Sequence, residues 1–600
     1  MKFLKIYFKK YLNNLIWFYG YLRYKIFIAT FLSIIVGLLD GIGISMFLPL
    51  LKIVSGNDLN NSNGLEEFSF ILDFISNSGI KLSLSTILIV MILFFVLKGF
   101  TKFVGEIYRV VLQQRLIRIL RINLLTSLNK VRYKSFATSN FGQIQNSLTG
   151  EVDRVQQAYI YYFQTFEEII LISVYMSFAF FIDYKFASLI SFAGFLTNVF
   201  YKKIFQSTTK FSQKLTYYNN FYQGQIIQYL GNYKYLRATG LLNKFSDKIT
   251  ITINNLEINR KKIGFLSGFM LSVREPVLII IVATVIYIQI NVLQGSLGTI
   301  LISLLFFYRA LSSLAQLQNV WNLFLGLSGS IDNLKSIQAE LNLKKQKDFE
   351  GCSLKFNNYI ELRNVNLNYG DLKILKDINL KIQKNKITAF IGESGSGKTS
   401  LINLISGLIP CDEGQVLIDN KSIEGLNIES FQKRIGYITQ EPVIFNDTIF
   451  NNVTLWADKS EQNLNRFYSV IEKTNMSNEI QKMNLKEQTL LGNNGINLSG
   501  GQKQRISIAR ELFKQIDILI MDEATSALDS EVESTIQENI NKLKDNITIL
   551  IVAHRLSTIK NADKIILMNN GKIVESGKFK ELYKNSIDFK RALDKQQISI

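Results

Sequence analysis

The chain has 600 residues, enough for several domains, and its 48% hydrophobic content with a mean hydropathy of +0.14 is high for a water-soluble enzyme. Its formal charge of +20 is spread over segments that flank apolar runs, not gathered into one patch, which argues against a nucleic-acid partner. Two cysteines, Cys352 and Cys411, both in the C-terminal part, imply neither a disulfide nor a metal site.

Met1 to Tyr24 places Leu4, Tyr7, Phe8, Tyr11, Leu12 and Leu15 at near-helical spacing beside lysines, the pattern of an interfacial amphipathic helix. The basic start runs into an apolar stretch without a small-residue cleavage site, so no cleavable signal is expected. Roughly six spans of bilayer-crossing character follow, near Ile26–Leu51, Leu84–Phe103, Ile169–Ile182, Phe186–Phe205, Pro276–Ile290 and Leu297–Ala315. The third and fifth are short as drawn, and each is expected to begin upstream, through Phe163 to Glu168 and through Leu266 to Glu275. Lysines and arginines precede the first span, follow the second (Arg109 to Lys134) and lie between the fourth and fifth (Lys202 to Lys262), which sets these segments in the cytoplasm. Asp58, Glu66, Glu67 and Asp73 mark the segment after the first span as outward. The membrane part is assigned to residues 1–340, a linker to 341–350 and a second domain to 351–600, which then lies in the cytoplasm.

In that second domain, Gly392-Glu393-Ser394-Gly395-Ser396-Gly397-Lys398-Thr399 follows the apolar strand Ile387 to Ile391 and opens a helical stretch, the context of a phosphate-binding loop. Its glycines allow backbone N–H groups to close on phosphates, Lys398 reaches β- and γ-phosphates, and the Thr399 hydroxyl suits Mg²⁺. A second apolar strand, Ile518 to Met521, ends in Asp522, a further Mg²⁺ contact, followed by Glu523, placed to polarise an attacking water. That pair points to hydrolysis.

With Leu498-Ser499-Gly500-Gly501-Gln502 between these two elements, the chain resembles the ATP-binding cassette (ABC) family. The resemblance implies further roles for matching residues. Tyr369 would stack on adenine, Gln440 in Gly436-Tyr-Ile-Thr-Gln440 would sense Mg²⁺ and face the membrane domain, and Ser526-Ala-Leu-Asp529 would cross to a partner cassette. His554, the single histidine of the chain, would contact the γ-phosphate. The implied fold is an exporter-type transmembrane α-helical domain followed by an α/β P-loop cassette, with ATP and Mg²⁺ as cofactors. In this family Ser499, Gly500, Gly501 and Gln502 meet ATP held by another cassette, so the resemblance implies a dimer, most simply a homodimer, with a heterodimer as the alternative. Coupling helices are expected near Asn140-Phe-Gly142-Gln143 and Phe221-Tyr-Gln-Gly224. Where exporters usually carry a glycine-glutamate pair, this chain has Gly492-Asn493-Asn494-Gly495.

Ionisable residues within the spans are the best guide to cargo. Lys98, Arg274 and Arg309 are candidates for an anion-accepting path, with Glu275 as a competing partner for Arg274. Leu65, Phe68, Ile71, Leu72 and Ile75 share one helical face in the outward loop, which, with Phe47-Leu-Pro49-Leu and Leu148-Thr-Gly-Glu-Val152, is similar to bacterial flippases of lipid-linked oligosaccharides. The expected function is ATP-driven export or flipping of a lipid-linked saccharide or other amphiphile across the inner (plasma) membrane. The alternatives are a peptide or drug exporter, and an ATPase regulating a partner membrane protein.

Overall fold

A computed structural model describes residues 13–47, 50, 83–182, 184–291, 297–345, 356–423, 427–522, 536, 538–540, 545–552 and 559–591. The outward loop 64–78, residues 346–350 of the linker, Cys352, Glu523, the segment 526–529 and His554 lie outside the described residues. The chain divides into two compact units, Met1–Val131 with Thr138–Lys345, and Arg132–Ala137 with Gln346–Ile600.

The first unit is helical. Its main elements are α1 (Lys25–Ser45), α2 (Leu84–Asn129), the single turn α4 (Phe141–Asn146) leading through a π-turn, Ser147–Glu151, into α5 (Val152–Ile182), then α6 (Tyr184–Gly231), the short α7 (Tyr233–Ala238), α8 (Leu242–Asn291) and α9 (Leu297–Leu343). The short α3 (Tyr133–Ala137) falls in the second unit. Helices α2, α6, α8 and α9 have 46 to 50 residues. At 1.5 Å per residue that is roughly 70 Å, more than twice a hydrocarbon core of about 30 Å, so each continues well past the bilayer. This is why α5 and α8 begin far upstream of the apolar runs that signalled the third and fifth spans. Among the described residues four stretches are long and apolar enough to cross, and α6 and α9 carry the remaining two of the six expected spans. On α2 the apolar side chains Ile89, Ile92, Val96 and Phe100 are exposed, as lipid-facing residues must be.

Helix 13–22 differs from the expected interfacial element on one face. Phe18 is fully buried, its ring edge-on to Tyr159 at 5.4 Å between centroids and close to Tyr162 and Phe163 of α5. Tyr21 Oη donates to Gln338 Oε1 at 2.9 Å, and Lys335 Nζ donates to Asn14 Oδ1 at 2.6 Å while lying over the Trp17 ring. Ile16 and Tyr19, on the other face, are exposed.

The two segments near which coupling helices are expected take different forms. Asn140 is an N-cap, its Oδ1 accepting from Gln143 N at 3.1 Å, so Asn140 to Gln143 starts α4; Phe221 to Gly224 lies inside α6. The chain instead reverses around α3 and α7, the latter ending at Gly240 with φ +71°. Gly142 and Gly224 do share a function, as the point where two helices touch. A Cβ on Gly142 would stand 2.4 Å from Gly224 N and 2.9 Å from Asn220 O.

In the second unit a four-stranded antiparallel sheet runs in the order β2-β1-β4-β5, made of β1 (Tyr359–Tyr369), β2 (Leu372–Gln383), β4 (Glu413–Ile418) and β5 (Lys421–Ser422). A six-stranded sheet runs β10-β9-β3-β8-β7-β6, with β3 (Ile387–Gly392), β6 (Ile435–Ile438), β7 (Ile518–Asp522), β8 (Thr548–Val552) and β9 (Lys564–Asn569) parallel and β10 (Lys572–Gly577) antiparallel at the edge. Strand β3 is buried along its whole length, the reading expected of a central parallel strand.

The glycine contact gives an asymmetric expectation. Gly142→Ala meets rigid backbone and should cost about 1–3 kcal/mol, whereas Gly224→Ala, whose Cβ would have its nearest neighbour at 3.8 Å, should be tolerated. Thermal aggregation of the two purified variants checks this; equal midpoints would contradict the close-crossing reading.

Candidate functional site

The nucleotide loop grows out of the carboxyl end of β3. Gly392 has φ +154°, and a Cβ there would sit 2.2 Å from Met568 O on the neighbouring β9, so only glycine lets the strand pass. Gly395 and Gly397 have φ +82° and +99°, and Gly397 caps helix α10 (Lys398–Ile405) in the left-handed conformation. Lys398 is buried, with Nζ donating to Gly392 O at 2.8 Å and to Glu393 O at 2.9 Å across the loop. Ser396 Oγ is buried without a hydrogen-bond partner, while Glu393, Ser394, Gly395 and Thr399 are exposed. A concave backbone of three permissive glycines, one ammonium and an orphaned hydroxyl at a helix start fit a polyphosphate with its metal.

Parallel pairing brings the other chemistry to the same sheet end. Val552 of β8 is opposite Phe390 of β3 and Asp522 of β7, so the carboxyl ends of β7 and β8 lie at the same sheet end as the loop. Asp522 is half-buried. Next to β7, Tyr437 of β6 donates its hydroxyl to Asn403 Oδ1 at 3.3 Å; burial first, then the Asp522 charge, push it up to about 12, so it stays neutral. Two residues beyond β6, Gln440 is exposed.

Ser499 is the N-cap of α13 (Gly500–Phe513), preceded by α11 (Ile449–Thr454) and α12 (Glu461–Lys473). Its Oγ accepts from Gln502 N at 3.2 Å, and Gln502 Oε1 accepts from Ser499 N at 3.0 Å. Gln502 therefore closes a capping box that stiffens the helix start. Gly500 is exposed and Gly501 half-buried, leaving this positive end of the helix dipole accessible. The asparagines at Gly492 to Gly495 form a short turn in which Gly495 packs on Ile444, a few residues after Gln440. Tyr369 ends β1 and is 37% exposed, leaving ring surface for a ligand.

In the membrane unit the three cations part company. Lys98 Nζ lies 2.6 Å from Asp40 Oδ1, the carboxylate is 3% exposed, and Tyr175 Oη donates to its other oxygen. This is a buried ion pair, not an open anion site, and it corrects the assignment of Lys98. Sequence reasoning missed Asp40, although a lone aspartate in the apolar run Leu38-Leu39-Asp40-Gly41 was the available signal. Arg109 is likewise satisfied, by both oxygens of Glu167 at 2.6 and 3.2 Å. Arg274 is different: among the described residues its guanidinium hydrogen-bonds to the neutral Gln316 Oε1, Ser312 Oγ and Ser312 O, at 3.2 to 3.4 Å, and feels the Glu168 charge, but forms no ion pair with Glu275. Arg309 is exposed.

Both halves match family models, the ABC transporter transmembrane region over residues 26–314 and the ABC transporter domain over 375–526. This chain is a half-size ABC exporter. It is 29% identical to the heterocyst differentiation ATP-binding protein HepA of Nostoc over 80% of this chain and 79% of that one. It is 43% identical to the ATP-dependent lipid A-core flippase of Syntrophus aciditrophicus over 36% of each chain, and 34% identical to that of Francisella novicida over 46% of this chain and 47% of that one. A bacterial Atm1-family ABC exporter structure with ATP bound superposes with a TM-score of 0.78 at 18% identity, covering 96% of this exporter and 99% of that chain. The exporter is thus an ATP-hydrolysing, multi-pass membrane protein.

The ion pair in α1 and α2 generates a prediction. Lys98→Ala strands the buried Asp40 carboxylate, which should cost about 3 kcal/mol or more and lower the yield of folded protein. Adding Asp40→Asn should restore much of it. Fluorescence-detected size exclusion of the single and double variants is the check, and a well-folded Lys98→Ala would count against a structural role.

Proposed function

We propose that this exporter flips a lipid-linked saccharide or related anionic amphiphile across the plasma membrane, as a homodimer with cytoplasmic cassettes. The observation that supports this reading is Arg274, a half-buried cation on a membrane-unit helix whose hydrogen bonds among the described residues go to neutral groups, with the Glu168 charge nearby but not in ion-pair contact, so that its donors suit a phosphate-bearing headgroup. Arg309, exposed one helix away, would extend the path. Two relatives named as lipid A-core flippases agree with a lipid cargo.

Hydrolysis would be divided among the residues at the sheet end. Lys398 and the backbone of Gly392 to Gly397 would cradle the phosphates, and His554 would contact the γ-phosphate. Thr399, Asp522 and Gln440 would hold Mg²⁺, which would supply charge neutralisation for the bound polyphosphate. Glu523 would orient water and accept its proton, while the Ser499 hydroxyl and the N–H groups of Gly500 and Gly501 would approach from the partner cassette.

Glu523→Gln should cut turnover about a hundredfold or more while leaving ATP bound; phosphate release near the wild-type rate, with nucleotide retention measured in parallel, would sink the assignment. His554→Ala should also lose most activity.

The cargo reading is tested in proteoliposomes loaded with a fluorescent polyprenyl-pyrophosphate saccharide. Arg274→Ala should slow ATP-dependent flipping at least fivefold, with basal ATPase within twofold of wild type, since one charge-assisted contact to an anion is worth roughly this or more. Unaltered flipping would remove Arg274 as a headgroup contact, and no flipping by the wild type would remove this cargo class.

A further inference from the structure

The second compact unit includes a short segment from far outside the cassette, Arg132–Ala137, which carries helix α3. Its Lys134 is seated at the end of β1. Lys134 Nζ donates to Asn368 O at 2.9 Å, lies 3.3 Å from Asp412 Oδ1, and stands 5.5 Å from the centroid of the Tyr369 ring. An ammonium has three N–H groups in roughly tetrahedral array, and here a carbonyl, a carboxylate and an aromatic face are all within reach. Asp412 is itself tied to the same residue, its Oδ2 accepting from Asn368 N at 2.6 Å. Asn368 is thus held at its N–H by Asp412 and at its C=O by Lys134, immediately before Tyr369. Beyond Tyr369 the hairpin turns at Gly370, with φ +59°, and offers no further clamp of this kind.

That end of β1 is next to the phosphate loop. Leu367 pairs with Leu375 across the hairpin, and a Cβ on Gly397 would touch Leu375 Cδ2 at 2.9 Å, so the ring stands two residues along the strand from a residue in contact with the loop.

We propose that Lys134 is a positioning residue for the adenine platform: by clamping Asn368 and covering one face of Tyr369, it presents the other face to the base. A residue belonging in sequence to the membrane half then sets nucleotide affinity. The family models that match the chain separate these parts, because Lys134 falls within the transmembrane match and Tyr369 within neither. The energetic scale of an exposed cation–π contact limits the effect to a modest factor, felt in binding and not in the chemical step.

The test uses the full-length protein in nanodiscs, with ATP and Mg²⁺-tripolyphosphate, a ligand that has phosphates but no base. Lys134→Met should raise the KM for ATP about two- to fivefold with kcat little changed, and Lys134→Arg, which keeps a cation over the ring, should restore it. The inhibition constant of tripolyphosphate should stay at its wild-type value in both. Tyr369→Ala separates this inference from the stacking role on which it rests. An ATP KM unchanged in Tyr369→Ala overturns the platform itself. A raised KM in Tyr369→Ala with none in Lys134→Met overturns only the role of Lys134. Equal weakening of ATP and tripolyphosphate in Lys134→Met assigns the lysine to general loop stability and also overturns the proposal. A Lys134→Met protein that fails to fold is replaced by Lys134→Gln, to which the same outcomes apply.

Discussion

The backbone contact between Gly392 and Met568 is the constraint from which the cassette half follows. Two parallel strands end so close together that any side chain at residue 392 would strike a carbonyl oxygen at 2.2 Å. The chain must therefore turn there as glycine, with its amides free to converge on an anion and a helix starting at once. The same parallel register delivers the ends of β7 and β8 to that place, so the loop, Asp522 and Val552 share one sheet end because of sheet order alone. Function at this end is a property of strand adjacency more than of any individual side chain.

The membrane half obeys a different accounting. Buried charge in an apolar surrounding must be matched or left for a ligand, and the helices show both solutions. Asp40 with Lys98 and Tyr175 ties α1, α2 and α5 together, and Arg109 with Glu167 ties α2 to α5 a few turns away. Arg274 is hydrogen-bonded to a glutamine and a serine, with the Glu168 carboxylate within electrostatic reach but not in ion-pair contact. The contrast turns three similar-looking cations into one structural residue and two candidates for cargo, a distinction that depends on partners brought from distant parts of the chain.

This difference explains what could be read from the sequence. The phosphate loop, Asp522 and the capping serine of the signature are local motifs whose geometry is fixed by a few consecutive residues, so their positions were legible. Helices α2, α6, α8 and α9 were legible as spans because apolar runs are local too, but their continuation past the bilayer shows only weakly in a polar helical pattern. Gly142 and Gly224 lie in the segments near which the resemblance implies coupling helices, but their close contact is not legible locally, because the two glycines meet only in the folded chain. The partner of Lys98 lay 58 residues earlier, and no periodicity links the two. Gln502, read as a nucleotide contact, also caps its own helix, a role that only the paired distances reveal.

If Ser499 of one chain acts on ATP held by Lys398 of another, as proposed, two chains act on each nucleotide. The direct measurement is ATPase activity of verified mixed dimers made from Lys398→Ala and Ser499→Arg subunits. Each mutant homodimer has two damaged sites, whereas a mixed dimer with sites shared between chains has one doubly damaged and one intact. The account predicts partial recovery of activity on mixing. Mixed dimers as inactive as either parent would contradict it.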